Sequence, residues 1–430
     1  MGIKPIKITI LTYGSRGDVQ PFLALAVALQ KAGHIPILTA PACFADLAAV
    51  YGVPFAPLAG DPAEISRRIN DAGQNPFLMV RAMQGYVFRI AVQVAQQALA
   101  ACQGSDLIIH SFLFTTGGHA IARQLGIPDI SAQTFPVFAP TRAFPNVAFP
   151  AIPPGWMSYF THWLATQIFW YGGNSGYGRV RKATLGDLPR KLTWPFRQTP
   201  ERPRTPMLFA WSPTVIPVPP EWEKHIHVTG YWILNGESGY LPSAALMEFL
   251  SAGEPPVCVS FGSMVNRNAK QIYHTVFEAL ATTHKRAVIL SGWSELQDGE
   301  RTDDIFVLNA APHDWLFPRC RMVIHHGGAG TTAAGLYAGV PNIVVPFIAD
   351  QPFWGRRVAL LGAGPAPIPV KKLTTKTLIR ALVESESSII RARAKAVGCA
   401  LRAEDGPVTA VKLIEQYAVR FGEGNIKTQP

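Results

Sequence analysis

The sequence is poor in cysteine and in charge. Its 430 residues hold five Cys (Cys43, Cys102, Cys258, Cys320, Cys399), far apart and without a CxxC pair. That excludes a disulfide framework and a cysteine-based zinc site, and it suits a reducing compartment. Only 16% of residues are charged against 48% hydrophobic, which excludes intrinsic disorder. No Walker A GxxxxGK[ST] motif, no GxGxxG spacing and no DxD pair occurs. The most aromatic stretch, Gly155–Gly172, is short for a membrane span and contains His162 and Gln167. The first residues, MGIKPIK, lead into a short apolar run with no secretory core and cleavage site behind it. Gly2 starts no myristoylation pattern, because position 6 is Ile. A cytoplasmic chain is the expectation, with peripheral contact on a membrane surface as its variant.

What is present is positive charge. Lys and Arg number 39 against 28 Asp and Glu, a net +11, with an isoelectric point near 9.5. Anionic partners are favoured: a phosphorylated substrate, an acidic lipid surface or nucleic acid. The basic residues are scattered and no recognition motif appears, which disfavours nucleic acid.

Apolar runs and helical spacing alternate. Ile6–Thr12, Ile35–Thr39 and Leu107–His110 read as strands; 18–32, 77–102 and 115–125 read as helices. From Pro136 to Pro220 the chain is rich in Pro, Trp, Phe and Arg. A second alternation follows, with strands at 257–261, 287–290, 305–308, 322–325 and 342–345 and helices at 269–283, 328–338 and 352–360. Helical patterns at 375–383, 387–401 and 407–420 close the chain. The fold class is α/β, with parallel sheets in two Rossmann-like halves facing a cleft. The first domain is expected over 1–234, its aromatic and Pro-rich part at 135–220. The second is expected over 235–405, and residues 406–430 as a helix packing back on the first.

The strongest chemical signal is Ile324-His325-His326-Gly327-Gly328-Ala329-Gly330-Thr331-Thr332, a strand that runs through a Gly-rich turn into a helix. Small residues let backbone N–H groups approach a phosphate, and a helix N-terminus adds partial positive charge. His326 and Thr331 can add hydrogen bonds. The plain alternative is a tight turn that needs Gly for packing. Downstream, Asp350 and Gln351 follow a strand's carboxyl end and offer acceptors and a donor suited to a polyhydroxylated sugar. Asp350 could equally cap the helix that contains Pro352. Near the start, Gly14-Ser15-Arg16-Gly17-Asp18 follows the first strand, and Asp18 is either a general base or a helix cap.

GSRGDVQP at 14–21, PHDWLFPRC at 312–320, HHGGAGTT at 325–332 and PFIADQPFWGRRV at 346–358 resemble the sterol-type and antibiotic-aglycone-type glycosyltransferases that use nucleotide-sugars. The resemblance covers nearly the whole chain except the aromatic middle. It implies the GT-B fold, with the acceptor on the N-terminal domain and the nucleotide-sugar on the C-terminal one. It implies inverting chemistry without a bound metal or other cofactor, and a uridine- or thymidine-based sugar donor, with UDP-glucose the first expectation. Asp18 then stands where this branch keeps its base. His326, Gly328, Ala329, Gly330 and Thr331 would hold the diphosphate, with Ser263 facing the same phosphates. Asp350 and Gln351 would hold the sugar, and the segment with His313 and Trp315 would border the nucleobase. The plant branch keeps a Trp and a Glu where this chain has Ala310 and Ala334. It also pairs its base with an Asp near the end of a later strand, where His110 and Ser111 stand here.

For a lipophilic acceptor such as a sterol, terpenoid or polyketide, the candidates are Ser15, His110, Phe135, Phe138, Phe144, Phe149 and Trp163. The aromatic middle is equally readable as core, or as a helical face for a membrane surface. Two other functions compete: sugar transfer to a membrane lipid or lipid carrier, and binding of a nucleotide-sugar or lipophile without catalysis.

Overall fold

The computed structural model describes residues 4–64, 67–68, 76–183, 194–197, 204–234, 240–262, 269–291, 299 and 301–426. The N-terminal half runs β1 (Lys7–Leu11), α1 (Arg16–Lys31), β2 (Ile35–Pro41), β3 (Phe55–Leu58), α2 (Pro76–Cys102), β4 (Leu107–His110), α3 (Thr115–Leu125), β5 (Asp129–Gln133), α4 (Trp156–Ala183), β6 (Met207–Phe209) and β7 (Ile226–Val228). The C-terminal half runs α5 (Ala244–Ser251), β8 (Val257–Ser260), α6 (Ala269–Thr282), β9 (Ala287–Leu290), β10 (Ile305–Leu308), β11 (Met322–His325), α7 (Ala329–Ala338), β12 (Asn342–Val344), α8 (Gln351–Leu360), α9 (Thr375–Ser385), α10 (Ser388–Arg402) and α11 (Gly406–Ile426).

Two parallel sheets result. Strand order is β3-β2-β1-β4-β5-β6-β7 in the first and β10-β9-β8-β11-β12 in the second. Both therefore reverse direction beside their own first strand: between β1 and β4, and between β8 and β11. At such a switch point the loops splay apart at the carboxyl ends of the strands and leave a crevice for a ligand. The fold is the α/β, two-sheet GT-B architecture.

Burial follows the sequence pattern. Phe22, Leu25, Ala26 and Leu29, three or four residues apart on α1, are all buried against Ile8 and Ile10 of β1. Ala410, Val411 and Ile414 of α11 join the same cluster, so the chain's last helix packs on its first. Another cluster mixes both halves. Phe144, Phe209 and Trp211 meet Leu336, Phe353, Trp354 and Val397 there. Across the same seam Glu404 accepts hydrogen bonds from Ser212 (2.6 Å) and Thr214 (3.1 Å). The two sheets are thus joined by a shared apolar interior, and the cleft opens beside it.

Candidate active site

A cleft of about 1430 Å³ lies between the halves and takes its walls from both. On the N-terminal wall, β1 ends at Leu11 and the chain turns through Gly14, whose φ of 138° suits glycine. Ser15 stands just before α1 and Asp18 in its first turn, both lining the cleft. Asp18 Oδ2 accepts from the Ser15 amide (2.8 Å) and the Ser15 hydroxyl (2.9 Å). The two readings of Asp18 hold together: it caps its helix and still faces the ligand space. Burial raises its pKa above the ordinary carboxylate value, and the Ser15 bonds oppose that shift.

The C-terminal wall is built on β11. His325, the last strand residue, is buried; its Nδ1 accepts from the Gly327 amide (3.1 Å) and its Nε2–H donates to Asn342 Oδ1 (3.0 Å). Burial pushes its pKa down to about 3, so this neutral ring braces the turn. Gly327 has φ of 88°, and a Cβ there would meet Val344. The next ring, His326, is wedged between glycines. A Cβ on Gly328 would lie 2.5 Å from its Nε2, and one on Gly262 would lie 3.4 Å from its Cε1. His326 Nδ1 is buried without a hydrogen-bond partner, and burial lowers this pKa to about 4. A buried, unpartnered ring nitrogen at the mouth of a helix is a poised polar group. Gly328, Ala329, Gly330 and Thr331 form the N-terminal turn of α7 and line the cleft. This end faces the N-terminus of α1 at close range: a Cβ on Gly330 would sit 3.5 Å from the Cα of Gly17.

Asp350 and Gln351 lie after β12 on the same wall. Ala349, just before them, takes the left-handed φ of 55°, a conformation an L side chain rarely adopts. Asp350 Oδ2 accepts from the indole N–H of Trp354 (2.8 Å). Burial and, secondarily, the negative charge of Asp18 raise its pKa to about 6, so the two carboxyls sense each other across the cleft. Gln351 Oε1 accepts from the amides of Phe347 (2.8 Å) and Ile348 (3.1 Å), which locks the loop. His313 also lines the cleft and stacks on Phe317 (4.3 Å, 16°); burial and the nearby Arg16 charge lower its pKa to about 3. Ala310 and Ala334 line the same wall.

Other candidates lie elsewhere. Ser263 falls outside the described residues. Trp315 does not reach the cleft. Two residues on from His313 in a helical turn is the opposite face, where Trp315 packs edge-on against Tyr240 (5.1 Å) under the Arg319 guanidinium. His110 is fully buried at the end of β4, 3.0 Å from Asp129 Oδ2, which also lies 2.8 Å from His119 Nδ1. Those two imidazoles hold the Asp129 carboxyl well below the usual range, even against its burial.

The aromatic middle is mostly core. Phe138 is buried among Phe112, Phe169, Trp194 and Phe196, and Phe144 among Trp222 and Phe353. Phe149 does not line the cleft, and Trp163 is half-exposed on the outer surface. Of the aromatic acceptor candidates, only Phe135 faces the cleft.

The apolar end of the cleft comes from residues the sequence reading passed over: Tyr13, Tyr86, Ile90, Val94, Phe114 and Tyr177. The Tyr13 and Tyr86 hydroxyls are 3.4 Å apart, and Tyr13 donates to the Ala59 carbonyl (3.1 Å). One signal was available. On α2, Ile90 and Val94 are four residues apart, and small Ala91 and Ala95 flank them. That is one helix face left hollow beside larger neighbours.

Comparison with known proteins agrees with this geometry. The glycosyltransferase family 28 N-terminal domain matches residues 8–145. The erythromycin biosynthesis protein CIII-like C-terminal domain matches residues 285–415. The chain is 38% identical over 428 residues to a sterol 3-beta-glucosyltransferase of Aspergillus fumigatus, covering 95% of this chain and 30% of that protein. It is 37% identical over 426 residues to the Candida albicans protein of the same name, covering 95% and 27%. It thus spans under a third of the length of these curated relatives. Among solved structures, the glycosyltransferase of kitacinnamycin superposes with a TM-score of 0.70 at 20% identity, over 96% of this chain and 99% of that one. SsfS6 of Streptomyces sp. SF2575, complexed with thymidine diphosphate, superposes at 0.62 and 20%, over 96% and 99%. With these matches lying along both halves of a two-sheet cleft, the chain is homologous over 95% of its length to part of the sterol 3-beta-glucosyltransferases and has the GT-B fold.

Proposed function

We propose that the chain transfers a hexose from a nucleotide-sugar to a hydroxyl of a lipophilic acceptor. One observation carries this reading: a single cleft joins a phosphate-type helix N-terminus to an apolar pocket, with Asp18 and Asp350 between them. The names of the sterol glucosyltransferase relatives support a sterol-like alcohol and a glucose donor, and the resemblance supports UDP-glucose.

Asp18 takes the proton of the acceptor hydroxyl. Its raised pKa makes it a stronger base than an ordinary carboxylate, and the Ser15 bonds fix its direction. The oxygen attacks the anomeric carbon from the face opposite the diphosphate, the bond to phosphate breaks, and the configuration inverts. Negative charge grows on the leaving diphosphate. The α7 N-terminus and His326, whose Nδ1 has no partner, meet it as preorganised donors. His326 is neutral at pH 7, so it acts by N–H donation rather than by charge. Asp350 accepts from sugar hydroxyls, and the Gln351 amide N–H donates to them. No metal is assigned, and turnover should persist in excess chelator; loss that Mg²⁺ or Mn²⁺ restores would defeat this part.

The test is a screen of nucleotide-sugars against lipophilic alcohols, read by mass spectrometry for a hexose gain. Sterols with UDP-glucose should give the gain. A donor that binds yet yields no conjugate with any alcohol would favour binding without catalysis.

A further inference from the structure

The first half of α4 is inside out. Its inner face is polar: Ser158, Thr161 and His162 are buried. Ser158 donates to the Pro153 carbonyl (3.0 Å) and Thr161 to the Ser158 carbonyl (2.6 Å). Thr161 also accepts from the Asn146 amide (2.9 Å), and His162 Nε2–H donates to the Phe144 carbonyl (3.0 Å). Its outer face is aromatic. Trp156, Tyr159, Phe160, Trp163, Ile168 and Tyr171 are 44–72% exposed, and Phe160 stacks on Trp163 (5.5 Å, 23°) at the surface. A surface helix in water shows the reverse arrangement. A row of exposed aromatic side chains on one helix marks an interaction surface.

We infer that this face of α4 seats on the surface of an anionic lipid bilayer. The composition fits: Trp and Tyr rings, apolar in body and polar at one edge, settle at the headgroup level. The charge fits too. No Asp or Glu occurs between Asp129 and Asp187. Arg142 stands at the start of the helix, where its carbonyl accepts from the Gly155 amide (2.8 Å), and Arg179, Arg181 and Lys182 stand at its end. Arg142 keeps Glu221 close, its amide donating to Glu221 Oε1 (2.9 Å), so the net basic charge lies at the far end of the helix, where a basic flank beside an aromatic face complements anionic headgroups. Among the described residues no helix is long and apolar enough to cross a membrane, so the contact is superficial.

Continuity with the cleft gives the contact a purpose. Further along the same helix, Gly172, Tyr177 and Val180 line the cleft, and Leu113, also lining it, is 46% exposed. An apolar molecule leaving the bilayer beside Ile168 and Tyr171 enters the cleft without crossing bulk water. That last step rests on the acceptor reading of the apolar end; the docking itself does not.

Vesicle flotation of the full chain, without acceptor or donor, tests the docking. The protein should float with phosphatidylcholine vesicles that contain phosphatidylserine, and less with phosphatidylcholine alone or at high salt. The triple variant Trp156→Ser, Phe160→Ser, Ile168→Ser should lose flotation by about tenfold or more. Arg179→Gln with Lys182→Gln should lose less, and mainly the salt-sensitive part. Circular dichroism and the thermal midpoint report folding independently of any sugar transfer. Wild type that stays at the bottom overturns the inference, as does either folded variant floating undiminished. So does a dimer in light scattering that the triple variant dissolves while no vesicle is bound, because the face would then cover a second copy of this chain.

Discussion

The two walls of the cleft are made differently. The C-terminal wall is built from short contiguous loops after β11 and β12. There His326, Gly328–Thr331, Asp350 and Gln351 sit within two stretches of sequence. Apart from the Asp18 turn, the N-terminal wall is assembled from pieces far apart: Tyr13, Tyr86 and Val94, Phe114, and Tyr177 come from four different segments. A diphosphate or sugar needs directed hydrogen bonds, which backbone turns at strand ends supply locally. A lipophile needs only shaped apolar surface, which any adjacent helices can provide. Polar recognition is therefore written as motifs, and apolar recognition as packing.

The sharpest challenge to this contrast is Asp18→Asn. Turnover should fall by about 10²–10⁴-fold while affinity for the free nucleoside diphosphate stays level, because only proton abstraction is lost. Near-normal turnover in single-turnover assays would move the base elsewhere.

Next come His326→Ala and Asp350→Ala, which should fail in opposite ways. His326→Ala should lower kcat by about 10²-fold and weaken the free diphosphate, since its bond strengthens as charge grows there. Asp350→Ala should weaken the nucleotide-sugar and relax the choice of sugar, yet leave the free diphosphate alone. Calorimetric titration of both variants with nucleoside diphosphate separates the two sites. Equal loss in both would make Asp350 a helix-fixing residue through Trp354.

A filled acceptor wall should be smaller in effect and confined to one substrate. Val94→Phe should raise KM for a bulky acceptor about tenfold, the order of one to two methylenes' worth of misfit, with donor KM unchanged. A parallel rise in donor KM would merge the walls into one site.

The smallest effect concerns stability. The folded pKa of Asp350 is raised to about 6 from an ordinary 3.8. Its contribution is therefore full below about 3.8 and is lost as pH rises through about 6. Asp350→Asn keeps an acceptor for Trp354 and removes the burdened charge. It should raise stability at pH 8 by up to about 3 kcal/mol, less where cleft water screens the group, and change it little near pH 4. Denaturant midpoints at the two pH values check the sign.

Where elements are long or periodic, sequence and structure agree closely: β4, β9, β10 and β11 match residue for residue, and α1 buries its expected face. Four strands escaped the reading. The strand β3 carries Pro57, β5 opens on an Asp that His110, His119 and Thr205 make tolerable, and β6 and β7 are three residues each. Only β6 sits in an apolar run, Met207–Trp211, and there the Pro-rich surroundings mask it; the other three lack one, and each is held by its neighbour in the sheet. In the site, the loops at the switch points were legible because their chemistry is local. Trp315 turns away from the cleft because periodicity within a four-residue turn decides its face. Phe138 and Phe144 pack inside because aromatic content does not say which side of a sheet it will fill.

Gly17 and Gly330 set two helix starts against each other across the domain seam. Each start carries about half a positive charge, offset at the α1 end by the Asp18 carboxylate. Both halves of the chain therefore turn amide donors toward one place. An anion bound there would tie the two sheets to each other, and its departure would loosen the seam.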